Sequence, residues 1–125
     1  MLISIDPTDS RPIYIQIVDE VRRGIVTGTI VANASLPSVR QLAAELRVNP
    51  NTVQQAYREL ERAELVYVRR GQGTFIAESS PDGAERERIL LARSVAKRAL
   101  TDAYRHGVNA DQLIDAMREI QNDKD

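Results

Sequence analysis

The chain has 125 residues, 42% of them hydrophobic but only 4% aromatic, with no Cys, no Trp and a formal net charge of −1. That length fits one small domain with an appendage, and a core drawn from Ile, Leu, Val and Ala suits helices better than a β-sandwich. The missing Cys excludes disulfide scaffolds, thiolate metal sites and Cys nucleophiles, and no apolar run reaches the roughly 18 residues that a membrane span needs.

Residues 1–12, MLISIDPTDSRP, have neither a basic start nor an apolar stretch, so a signal peptide is not expected and the protein reads as cytoplasmic. Pro12 can open a helix, because its missing N–H would lack an intrahelical partner there. Ile13, Ile17, Val21 and Ile25 follow at steps of four and Tyr14 and Val18 widen the stripe, which predicts an amphipathic helix stopped at Gly28. Residues 30–38, IVANASLPS, read as irregular or briefly extended. A second helix starts at Ser38, where S-x-x-Q spacing with Gln41 suits a capping box, and Val39, Leu42, Ala43 and Leu46 form its apolar stripe. After the break RVN, Asn49 is the N-cap and Pro50 the first residue of a third helix running to about Ala63. Its apolar face is Val53, Ala56, Tyr57 and Leu60. Two short helices around a three-residue break are the helix-turn-helix pattern.

Residues 65–68 and 74–77 are β-rich and flank RRGQG, predicting a hairpin with Arg69, Arg70 and Gln72 at its tip. Residues 78–83, ESSPDG, read as a linker. Beyond it a helix is expected over 84–106, ended by Gly107, and another from Asn109, with N-x-x-Q spacing to Gln112 and a stripe of Leu113, Ala116, Met117 and Ile120. The tail QNDKD reads as frayed. The expected domains are 1–77, a winged helix-turn-helix, and 84–125, a two-helix tail joined by the 78–83 linker; the fold class is mainly α with a small β-hairpin. The two halves differ little in charge: residues 1–77 hold nine basic and eight acidic side chains, residues 78–125 eight and ten.

The third helix carries Asn49, Asn51, Thr52, Gln54 and Gln55 in its first two turns. Asn and Gln amides donate and accept together and can pair bidentately with adenine, and Thr can touch a phosphate or a thymine methyl. The plainer reading is a capped, solvated helix face, with Asn49 the cap. Ser38 and Arg40, at the start of the second helix, suit a phosphate, since free N–H groups and the helix dipole favour an anion there; otherwise Arg40 is a surface side chain opposing Glu45 or Glu59. In the wing, Arg69, Arg70, Gly71, Gln72 and Gly73 combine cations with glycines that permit close approach to a ligand backbone. His106 reads as a helix-end cap, and Arg86, Glu87, Arg88, Arg93, Lys97 and Arg98 as a solvated face. Neither a nucleophile–base pair nor a metal-ligand cluster is evident, so the sequence points to a non-enzyme without cofactor or metal.

The stretch LPSVRQLAAELRVNPNTVQQAYRELERAELVYVRRGQGTFIA resembles the DNA-binding domain of GntR-type bacterial regulators in its LPS-x-R-x-LA, NPNTVQ-x-AY-x-EL and RRG-x-GTF segments. The short helical tail resembles that of the YtrA subfamily, whose members lack a large effector domain and dimerise through short helices. The resemblance implies a sequence-specific transcriptional regulator, a repressor above all, that binds a pseudo-palindromic DNA operator as a homodimer and controls a transporter operon; an unknown small-molecule effector, held in a cavity at the dimer interface, is left open by the sequence. It implies DNA contacts from Arg40, from Asn49, Asn51, Thr52 and Gln54, and from Arg70, Gly71, Gln72 and Gly73. Leu91, Val95, Leu100, Leu113, Met117 and Ile120 are the expected dimerisation residues. The family often has Gly where Arg47 and Glu64 stand, so both are expected at positive φ if the geometry is kept. The rival reading is a winged helix that binds proteins without specific DNA binding.

Overall fold

The structure, a computed structural model, describes residues 3–78 and 81–123, and the side chains of all of these except 81–84. Its elements are α1 (Ile13–Thr27), α2 (Val39–Leu46), α3 (Pro50–Arg62), β1 (Val66–Arg69), β2 (Gly73–Ile76), α4 (Pro81–Arg105) and α5 (Ala110–Asn122). They fall into two compact units, Met1–Arg88 and Ile89–Asp125.

In the first unit the apolar stripes read from sequence meet in one core. Ile17 and Val21 of α1, Leu42 of α2, Val53, Ala56 and Leu60 of α3, and Ile76 of β2 are all at most 1% exposed. Pro12 sits one position earlier than expected, at the α1 N-cap, where its carbonyl accepts from the Ile15 and Gln16 N–H groups. Gln16 is buried and works as a clip: its Oε1 accepts the Asp6 N–H at 2.8 Å and its Nε2 donates to the Arg11 carbonyl at 3.2 Å. That clip ties the N-terminal segment, including buried Ile3, to α1. Gly28 ends α1 in the left-handed region at φ 82°, which glycine enters without a Cβ clash. One turn earlier, a Cβ on Gly24 would stand 2.3 Å from Ile30 Cδ1 and 2.5 Å from its Cγ1. Glycine at position 24 therefore lets the chain fold back directly over the helix.

Residues 33–36, expected as irregular or briefly extended, form a short extended edge on β2. Asn33 N–H donates to the Ile76 carbonyl at 2.7 Å, Ile76 N–H to the Ala34 carbonyl at 2.8 Å, and Leu36 N–H to the Thr74 carbonyl at 2.8 Å. On its other side β2 pairs antiparallel with β1, in the register Val66↔Ile76, Tyr67↔Phe75, Val68↔Thr74 and Arg69↔Gly73. Both edges of β2 are thus hydrogen-bonded. The strands lie one residue inward of the expected turn, so Arg69 and Gly73 belong to the ladder, and the tip is Arg70, Gly71 and Gln72.

α4 starts at Pro81, where 84 was expected; proline's fixed φ is pre-set for a first helical turn and shortens the linker. Residues 79 and 80 of the expected linker lie outside the described residues. Glu87 does not join a solvated face: it is 8% exposed, and its Oε2 lies 2.9 Å from Arg22 Nε of α1. Burying one of these charges without the other would be strongly unfavourable, and each is the partner of the other.

In the second unit Gly107, at φ 75°, turns the chain, with the Val108 N–H donating to the Ala103 carbonyl at 2.9 Å. Asn109 and Gln112 complete a reciprocal capping box. α5 continues through Asn122, so the expected fraying of residues 121 and 122 is not observed; residues 124 and 125 lie outside the described residues. Between Ile89 and Asp123, Ala103 alone among the described residues is buried. No described helix is long and apolar enough to cross a membrane.

Candidate nucleic-acid interface

α3 has two unlike sides. Val53, Ala56, Tyr57 and Leu60 are buried, while Asn51, Gln54 and Gln55 are exposed and Thr52 is half-buried. The apolar side fixes the helix against α1 and α2, which leaves the amides presented on a rigid support. Asn49 caps the helix, its Oδ1 accepting the Asn51 N–H at 2.8 Å. That use leaves its NH₂ group free to donate.

The start of α2 is placed by the same helix. Tyr57 Oη donates to the Pro37 carbonyl at 2.6 Å, one residue before the Ser38 N-cap. Burial, together with the Glu45 carboxylate, pushes the Tyr57 phenol above its ordinary range, so it remains a proton donor. Ser38 Oγ accepts the Gln41 N–H at 3.1 Å, which is one half of the box that its spacing predicts. Arg40 is exposed and forms no ion pair with Glu45, Glu59 or any other described residue. A cation near a helix N-terminus is not favoured by the helix dipole, so its place there has no evident use within the fold.

The wing completes the surface. Arg70, Gly71 and Gln72 are exposed at the tip, with the Gln72 N–H closing the turn on the Arg69 carbonyl at 2.9 Å. Positive φ at Gly71 and Gly73, 78° and 123°, explains why these two turn positions are glycine. The structure separates the two arginines that the sequence treats alike. Arg70 is at the tip, whereas the Arg69 guanidinium lies over the Tyr67 and Phe75 rings, 5.6 and 5.2 Å from their centroids.

Two residues of this region escape the sequence reading. Asn33, at φ 66°, accepts from Tyr67 Oη at 2.8 Å and donates to Glu78 Oε1 at 3.2 Å. No local pattern announces a contact 34 residues long. Tyr67, by contrast, stands two residues from Arg69, and strand periodicity puts both on one face. The expected dimerisation residues also divide: Val95, Met117 and Ile120 are 61, 47 and 62% exposed, while Leu91, Leu100 and Leu113 are half-buried. Ile89, Leu90, Tyr104 and Ile114, none of them among the expected dimerisation residues, add further exposed apolar surface. Among the described residues no cluster of His, Asp or Glu is placed to hold a metal ion.

A helix-turn-helix braced on one core, with a two-glycine wing beside it, defines a winged-helix DNA-binding domain of the transcription-regulator class. Residues 13–76 match the family of bacterial regulatory proteins called the gntR family. The HTH-type transcriptional repressor YtrA of Bacillus subtilis is 36% identical over 122 residues, 98% of this chain and 94% of that one. A GntR family transcriptional regulator from Listeria monocytogenes superposes with a TM-score of 0.66 at 37% identity, covering 92% of this chain and 98% of the other. AraR(DBD), solved in complex with operator ORX1, gives a TM-score of 0.52 at 28% identity over 58% of this chain and 90% of its own. The chain belongs to the gntR family, and its relatives are transcriptional regulators rather than enzymes.

Proposed function

We propose that the chain is a transcriptional repressor that binds a two-fold-related DNA operator as a homodimer. The observation that carries this reading is the exposed Asn51, Gln54 and Gln55 set on a helix whose other side is fully buried. In the major groove these amides read bases. Arg40 at the start of α2 and Arg70 at the wing tip supply phosphate contacts, which position without specifying. Ser38, Asn49 and Thr52 complete the α2 and α3 contacts, and Gly71, Gln72 and Gly73 bring the wing backbone close to DNA.

The dimer reading rests on the second unit. α5 buries none of its side chains within the chain, and Val95, Met117 and Ile120 leave apolar surface facing water. A second copy covers such stripes most simply, since like stripes are self-complementary about a two-fold axis. Leu91, Leu100 and Leu113, half-buried already, complete the dimer surface. Similarity to YtrA, named as a repressor, supports the sign of regulation. By the subfamily resemblance the regulated genes form a transporter operon.

Fluorescence anisotropy against labelled duplexes across a salt series tests the reading. Sequence-dependent binding whose affinity falls steeply with salt is expected. Binding to no duplex at any salt would contradict it and favour a winged helix that docks proteins.

A further inference from the structure

We infer that Tyr67 and Asn33 are positioning residues that hold the Arg69 guanidinium ready for a DNA phosphate. The inference rests on the DNA-binding reading above and adds two residues to it, neither of which touches DNA itself.

The arrangement is a chain of contacts on the outer face of the β1–β2 ladder. Val66 and Ile76 point inward and are buried. Tyr67 and Phe75, directly paired across the strands, therefore point outward, and their rings stack with centroids 5.7 Å apart and an interplanar angle of 23°. Arg69 shares that face and lays its guanidinium over both rings, within the distance at which a cation is attracted by an aromatic quadrupole. Tyr67 is fixed in turn at its far end, because its hydroxyl donates to Asn33 Oδ1. Asn33 is held by its own backbone, which donates to the Ile76 carbonyl, and by its NH₂ group, which donates to Glu78 Oε1.

A guanidinium attracted to aromatic rings by its charge need not spend its N–H donors on other acceptors. The Arg69 side chain is exposed and has no hydrogen-bond or ion-pair partner among the described residues. Its N–H donors stay available while the rings hold the group on the outer face of the ladder. An unordered arginine loses rotamer freedom when it grips a phosphate, and one already stacked loses less. Arg70 at the tip has no ring beneath it among the described residues. The wing thus carries one cation held over rings and one that is not, and Tyr67 with Asn33 makes the difference.

The test is a double-mutant cycle on the full chain, read by anisotropy with a fluorescein-labelled duplex enriched from a random library and accompanied by thermal denaturation. Arg69→Ala is expected to weaken binding at least threefold and to reduce the salt slope by about one phosphate contact. Tyr67→Leu is expected to weaken binding by between about twofold and fivefold when Arg69 is present, the range for an exposed cation–ring contact. In the Arg69→Ala background Tyr67→Leu is expected to change nothing further. Tyr67→Phe keeps the ring and loses the Asn33 bond, and Asn33→Gly keeps the positive φ and loses the same bond. Both should give a smaller, matching loss, and they keep the test available if Tyr67→Leu does not fold. An equal loss from Tyr67→Leu in both backgrounds would overturn the inference and leave Tyr67 a structural residue. Unchanged affinity and salt slope in Arg69→Ala, with the wild type still binding the duplex, would overturn it while leaving the DNA-binding reading intact. A wild type that binds no duplex would overturn both.

Discussion

Arg47 and Glu64 sit in the left-handed region at φ 57° and 61°, each closing a helix where the chain must turn sharply. An L side chain is disfavoured there by about 1–2 kcal/mol, and part of that is returned because glycine loses more freedom on folding. Arg47→Gly and Glu64→Gly should therefore each stabilise the protein by about 0.5–1 kcal/mol, read as a raised midpoint in thermal denaturation. Gly24 is the opposite case. Its contact with Ile30 has no room for a methyl group, so Gly24→Ala should destabilise by about 1–3 kcal/mol in the same experiment despite alanine's better helix propensity. Tyr57 adds a pH dependence. Its folded pKa is raised above the ordinary 10.0, so its stabilising effect is complete below that value and is lost as pH rises past it. Tyr57→Phe should flatten the alkaline fall in stability, measured by denaturant titration at a series of pH values.

At the scale of elements, the helices were legible because their apolar stripes repeat at helical spacing and their ends carry chemical marks. Ser38, Asn49 and Asn109 accept the expected cap hydrogen bonds, and Gly28 and Gly107 take the positive φ that a stop demands. Features that depend on distant partners were not legible. Nothing near Asn33 signals its pairing with β2 and Tyr67, and nothing near Glu87 signals that Arg22 buries it. The hairpin shift has a local cause: the glycines at 71 and 73 allow the ladder to close on Arg69↔Gly73. In the proposed function the elements divide the work. Gln54→Ala should reduce discrimination between duplex sequences more than it reduces non-specific affinity, whereas Arg70→Ala should weaken both similarly and lower the salt slope by about one contact. Competition titrations at several salt concentrations separate these outcomes.

For the whole molecule, the proposed two-fold assembly matters because one recognition helix reads too few base pairs to pick a site from a genome, and symmetry doubles the reading. The second unit has the composition for that role: two helices, one buried alanine among the described residues, and apolar side chains at helical spacing facing outward. Placing carboxylates in that stripe, as Met117→Glu with Ile120→Glu, should leave the winged unit folded and give a monomer by sedimentation velocity. Operator affinity should fall by at least tenfold as the second half-site contact is lost. A double variant that stayed dimeric would move the interface elsewhere.

Selection of binding sites from a random duplex library with the purified full chain is the decisive experiment for two-fold operator recognition. An enriched inverted repeat is expected, its half-sites separated by about one helical turn of DNA, roughly 10 base pairs, or a multiple of it. Enrichment of no motif, with only salt-labile bulk binding, would contradict it.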